Sequence, residues 1–198
     1  FFGYVFEGVN PANGNIIFKD VNGDGSITAD DRAIIGNAMP DYTFGLTNTF
    51  SYKGFSLDAL FTGSQGNDIL NATRIDLEQM IGPENQSTAV LDRWTTTNTI
   101  TDIPRVGDTN SKLVSSKFVE DGSYIRLKSV TLGYSFKNGL LGLKSLKLYA
   151  TGQNLITWTN YSGFDPEVGS SNDNRGVGRG IDYGTYPQVR TFIFGIKA

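Results

Sequence analysis

Between Ser123 and Phe136 the chain reads SYIRLKSVTLGYSF, and its second half alternates without interruption. Val130, Leu132, Tyr134 and Phe136 fall on one face of an extended backbone, and Thr131, Gly133 and Ser135 on the other. That is the period-two signature of a strand with one apolar side. At ~3.3 Å per residue, such a segment is well beyond the length of an average globular strand. A strand that long has to cross something thick.

Other stretches repeat the pattern. Tyr42–Ser51 sets Tyr42, Phe44, Leu46 and Phe50 against threonine, serine and glycine, and after a tight turn at Tyr52–Gly54, Phe55–Thr62 resumes with Phe55, Leu57, Ala59 and Phe61 on one face. Ser145–Trp158 and Arg190–Ala198 alternate likewise, and Phe1–Gly8 reads as a further strand or strand end. The connections come in two kinds: Tyr52–Gly54 and Lys137–Lys144 are short, whereas Gly63–Lys117 and Asn160–Pro187 are long, polar and rich in glycine and asparagine. Two short helices are expected in the first long connection, at Ile75–Ile81 and Thr88–Trp94. Long structureless connections count against a compact soluble domain but are ordinary on the outer side of a membrane β-barrel, whose periplasmic turns are short. With the short turns placed inside, aromatic residues sort to the strand ends, Tyr42, Phe61 and Trp158 outward and Phe50, Phe55 and Phe136 inward. Barrels carry such girdles, although strand-end aromatics also occur in sandwiches. Ser56, Asp58, Thr131, Tyr149 and Gln153 then fall on the polar, water-facing side of the wall.

Composition removes several chemistries. The chain has no Cys and no His, which excludes disulfides, thiolate nucleophiles, histidine bases and His- or Cys-ligated metals. A net charge of -3 with no basic stripe argues against a nucleic-acid partner. There is no apolar run long enough for a transmembrane helix, which says nothing against a barrel. The chain opens at Phe1 with neither an initiator Met nor a signal peptide and reads as a piece or a processed product.

The densest chemical motif is Asp20–Asp31, DVNGDGSITADD. Counted from Asp20, oxygen-bearing side chains fall at positions 1, 3, 5, 9 and 12, namely Asp20, Asn22, Asp24, Thr28 and Asp31. Gly25 sits at position 6, where a calcium loop turns sharply, and the Ser26 carbonyl supplies position 7. Hard oxygens at this spacing suit a structural Ca²⁺, on an EF-hand-like loop that lacks an entering helix and carries Asp31 where Glu is usual. The competing reading needs no metal: Asn-Gly and Asp-Gly turns lead to a short helix capped by Thr28, with Asp31 as its capping-box partner.

Taken together, FKDVNGDGSITADDRAIIGNAMPDYTFGLTNTFSYKGFSLDALFTGSQGNDI, LDRWT, TDIPR, FVEDGSYIRLKSVTLGYSF, LYATGQNLITWTNYSGFDPEVG and IDYGTYPQVRTFIFGI resemble, in order, the C-terminal third or so of SusC/RagA-like TonB-dependent transporters. The resemblance spans nearly the whole chain. It implies an all-β fold in which residues 1–198 supply the last antiparallel strands and long external loops of a 22-stranded outer-membrane barrel, with the 20–31 loop on the outside. It also implies an N-terminal plug and TonB box elsewhere in the protein, a SusD-like lipoprotein as lid, oligosaccharide or peptide cargo, and energy from the TonB complex. Family members end on an aromatic, whereas this chain ends Gly195-Ile196-Lys197-Ala198, so a truncated end is expected.

The alternative is a soluble, calcium-stabilised β-sandwich that binds carbohydrate through Trp94, Trp158 and Tyr161. Its strands would be shorter and its turns closer together. An enzyme is disfavoured, since no nucleophile has a base. Asp165 and Glu167 are two carboxylates in one loop, but two residues apart they read as an Asp-Pro turn, not as a glycosidase pair.

Overall fold

The computed structural model describes residues 1–136, 145–169 and 178–197. The expected 137–144 turn, part of the 160–187 connection and Ala198 lie outside the described residues. In chain order the elements are β1 (Phe2–Gly3), β2 (Phe6–Val9), β3 (Ile16–Phe18), β4 (Ala33–Ile34), β5 (Tyr42–Tyr52), β6 (Phe55–Gln65), β7 (Asp68–Asn71), α1 (Ala72–Glu78), β8 (Val119–Asp121), β9 (Tyr124–Phe136), β10 (Leu146–Thr159), β11 (Ile181–Asp182) and β12 (Thr191–Lys197). They fall into two compact units. One, the loop unit, holds Phe1–Met39, Asp68–Asp121 and Glu167–Thr185; the other, the sheet unit, holds Pro40–Asn67, Gly122–Pro166 and Tyr186–Ala198.

The sheet unit is a five-stranded antiparallel sheet in the order β5-β6-β9-β10-β12, each strand beside its neighbours among the long strands in sequence. The alternation written in the sequence becomes two faces. Phe50, Leu57, Leu132 and Ala150 share one cross-strand row, and Leu46, Phe61, Leu127 and Ile156 another on the same face. This face stays open to solvent: Leu46 is 54% exposed, Leu132 53%, Trp158 48% and Phe194 80%. The opposite face carries Thr, Ser, Asp and Gln, with Leu60 and Ile193 as apolar exceptions.

Two devices set this register. The β5–β6 turn is the pair Lys53-Gly54, with φ of 46° and 92°, so both residues take the left-handed conformation that matches the twist of a tight hairpin. The second is a bulge. Leu127 pairs with Phe61 and Ser129 with Leu60, leaving Lys128 as an extra residue on β9. β10 is irregular at the same level, between Gln153 and Ile156, where Asn154 has φ 52°. Apolar residues sit at odd positions before Lys128 (Ile125, Leu127) and at even positions after Val130, and the bulge brings both sets to one face.

The loop unit is built differently. Its strands are two to four residues long and pair over long sequence distances: β1 with β4, β2 with β3, and β7 between β8 and β11. Leu70, Ile75 and Phe118 form its buried core, with Phe1, Val119 and Ile181 packed around them. Beside that core Arg74 binds Glu78 and Glu120, each at 2.8 Å, and Lys117 binds Glu78 at 2.8 Å. Burial alone pushes the Glu78 carboxyl up, but its bonds to Arg74 and Lys117 outweigh burial and hold it below the usual carboxylate range.

The five long strands match expectation to within a few residues. Other expectations need correction. The Phe1–Gly8 strand is two short strands with different partners, broken at Tyr4-Val5. The Ile75–Ile81 helix starts earlier, at Ala72, because the Asn71 side chain accepts from the Arg74 N–H and caps it. Thr88–Trp94 forms a 3-10 turn over Thr88–Asp92.

Candidate functional site

The polar face of the sheet gathers the wall residues expected from sequence. Ser56, Gly133, Tyr149 and Gly195 form one cross-strand row, Thr49, Asp58, Thr131 and Thr151 the next of the same parity, and Leu60, Ser129 and Gln153 the one after. Within the middle row Thr49 Oγ1 donates to Asp58 Oδ1 at 2.8 Å, and Thr131 and Thr151 share a hydroxyl hydrogen bond at 2.8 Å. The ring of Tyr149 reaches across Gly195, the residue opposite it, so a side chain at 195 would collide with the ring. This is a polar wall laced by hydrogen bonds between neighbouring strands.

Aromatic residues mark the ends of the apolar face, with one correction. Phe55, Tyr134 and Phe136 cluster at the hairpin end, with ring centroids 4.6 and 4.8 Å apart. Tyr42 and Phe44 lie together at the other end, at 6.4 Å, and Trp158 is on the row of Phe44. Phe61 pairs with Leu46 in mid-strand and belongs to the belt between the girdles.

Near the end of the sheet opposite the Lys53-Gly54 turn, the polar face holds an ion pair that sequence reasoning missed. Arg126, 1% exposed, binds Asp165 Oδ1, and the second carboxylate oxygen accepts the Gln188 backbone N–H at 2.9 Å. The Asp-Pro turn is therefore an anchor that ties two loop segments to β9. The hint in the sequence was an arginine between the apolar Ile125 and Leu127 of a strand, which demands a carboxylate if it is buried. Tyr161, expected as a surface aromatic, is buried in the same loop, and Trp158 belongs to the apolar face. Trp94 packs on Gly14 and donates to the Pro11 carbonyl at 3.0 Å. The three aromatics of the carbohydrate-sandwich alternative thus do separate structural jobs.

The Asp20–Asp31 loop has the capping-box geometry. Thr28 accepts from the Asp30 N–H, and Asp31 Oδ2 accepts from the Thr28 N–H at 2.7 Å. Asp31 Oδ1 also takes the Val21 and Asn22 N–H groups at 2.9 and 3.4 Å. The bond from Thr28, helped by those from Val21 and Asn22, holds its carboxyl below the usual range. Asp20 accepts from Gly23 and Gly25, and Asp24 from Ser26 and Asn22. Gly23 and Gly25 have φ of 76° and 83°, the sharp turn expected at those positions. The donor types for Ca²⁺ are present in order, with Asn22, Ser26 and Thr28 among them. However, no three acidic side chains converge tightly enough among the described residues to hold a metal.

No family model matches the chain. TonB-dependent receptor P3 of Formosa agariphila is 39% identical over 218 residues, covering 100% of this chain and 22% of the relative. TonB-dependent receptor SusC of Bacteroides thetaiotaomicron is 31% identical, covering 98% and 19%. A solved structure of the RagAB peptide transporter superposes with a TM-score of 0.83 at 27% identity, over 99% of this chain and 22% of the other. The chain thus spans about a fifth of the length of the relatives it matches. An open sheet, apolar on one side and polar on the other, with this likeness to SusC and to the RagAB structure, is a piece of barrel wall, and the chain belongs to the SusC/RagA-like TonB-dependent receptors.

Proposed function

We propose that the chain is the C-terminal wall and loop segment of an outer-membrane importer that takes up oligosaccharides or peptides beneath a SusD-like lipoprotein lid, driven by the TonB complex. The single observation behind this reading is the division of the five-stranded sheet into an exposed apolar face and a polar one. A face with Phe50, Leu132 and Phe194 more than half exposed is stable against lipid and an aggregation hazard in water. The relatives support the transport reading, and the RagAB structure is described as that of a peptide transporter.

The test uses the full-length parent protein, expressed in its native membrane and extracted in detergent. Import predicts a heat-modifiable barrel, a co-purifying lipoprotein identified by mass spectrometry, and loss of uptake of labelled cargo when the gene is deleted. Unchanged uptake in the deletion strain overturns the proposal. The same reading includes a structural Ca²⁺ on the Asp20–Asp31 loop, supported by ligand order and by the left-handed glycines at Gly23 and Gly25.

A further inference from the structure

In the loop unit, α1 and the turn after β11 form an open pocket of about 240 Å³, lined by Thr73, Asp76, Leu77, Tyr183 and Gly184. Its chemistry is lopsided. Thr73 is already committed: its hydroxyl donates to the Asp182 carbonyl at 3.3 Å and accepts the Gly184 N–H at 2.8 Å. The Tyr183 hydroxyl donates to Asp76, and that bond holds the phenol up. Leu77 and the Tyr183 ring supply apolar walls, and Tyr183 is 70% exposed.

What remains for a ligand is one carboxylate at the end of an apolar slot. Two cations of the loop unit are engaged elsewhere: Arg74 with Glu78 and Glu120, Lys117 with Glu78. That four-residue cluster is neutral, whereas Asp76 has no ion-pair partner among the described residues. Its charge is left over. A sugar ring would call for several polar partners, because each of its hydroxyls must be satisfied. A lysine or arginine side chain fits better: its aliphatic stem lies along Leu77, its charge meets Asp76, and the Tyr183 ring adds cation–π attraction. The volume is below that of a drug-sized site, in keeping with one side chain.

We propose that this pocket binds a basic side chain of a peptide. The inference rests on the import reading only for what the peptide is for, since the pocket itself can be tested by binding alone. Full-length protein in detergent is titrated with two fluorescent peptides identical except for one lysine replaced by norleucine. The lysine peptide should bind at least ~10-fold more tightly, about 1.4 kcal/mol. Asp76→Asn should abolish the difference, and Tyr183→Phe should keep it. Unchanged heat-modifiability shows that each variant is folded. Equal binding of the two peptides, or a lysine preference that survives Asp76→Asn, overturns the proposal, as does displacement of both by neutral oligosaccharides alone. Peptide uptake by cells is the separate readout: binding preference without uptake sinks the import reading and leaves the pocket standing.

Discussion

At the scale of single residues, the strongest demand falls on Arg126. A guanidinium 1% exposed within a sheet needs its charge answered, and Asp165 accepts from it. Asp165→Ala should therefore cost about 3–5 kcal/mol, because it strands a buried charge and also frees the Gln188 N–H. Arg126→Met with Asp165→Ala should recover much of that loss. The check is a double-mutant cycle on urea midpoints of the full-length barrel, and additive losses would show the pair to be uncoupled. Glu78 and Asp31 make a pH prediction. Both carboxyls are held below the usual range in the folded chain, so their stabilisation is full above the unfolded values of about 4 and is lost as pH falls through the lower, folded ones. Acid should open the loop unit there, and Glu78→Gln should remove its share of the pH dependence. Intrinsic-rate-corrected hydrogen exchange on peptides covering residues 20–31 and 72–78 reads this directly. The long-range pairs among these were not legible in the sequence. Asp165 lies 39 residues from Arg126 and Glu120 lies 46 from Arg74, and nothing local announces such pairs.

Among elements, the long strands were legible because one face is apolar along their whole length, so periodicity alone fixed their position and orientation. The small strands were not, since two to four residues cannot display a period and their partners are far away in sequence. The bulge lies between these cases. The parity change between Leu127 and Val130 was there to be read, but an uninterrupted strand hides it until pairing shows Lys128 as the extra residue. Deleting Lys128 should turn Ile125 and Leu127 to the polar face and Arg126 to the apolar one, and abolish the folded, heat-modifiable form. Lys128→Ala leaves the count intact and should assemble. The Asp20–Asp31 loop also belongs here. Both the metal reading and the capping-box reading were legible, and the hydrogen bonds of Thr28 and Asp31 realise the second. If Ca²⁺ also binds, millimolar Ca²⁺ should protect residues 20–31 from proteolysis, EDTA should reverse this, and Asp24→Ala should erase it. Equal cleavage with and without Ca²⁺ would leave only the capped turn.

For the whole molecule, the deciding property is that the apolar face is uncovered. A β-sandwich would have laid a second sheet over Phe50, Leu132 and Phe194, and exposure would then have been lowest in the middle of the sheet. Instead those residues are 62%, 53% and 80% exposed, so the solvent for this face has to be apolar. Lipid meets that requirement, and it makes the two faces unequal in a measurable way. Val130 sits on the apolar face, in the row of Asn48, Ala59 and Gly152, far from either girdle. Val130→Arg should cost about 2–4 kcal/mol in lipid, the penalty for a cation near the bilayer midplane. Thr47, on the polar face one row away, should accept arginine within about 0.5 kcal/mol. The comparison is made on the full-length protein refolded into liposomes, from the urea dependence of the heat-modifiable band. The two substitutions add the same side chain at nearly the same depth, so any difference between them reports which face meets lipid. Equal midpoints would mean that neither face does, and the wall reading would fall with them.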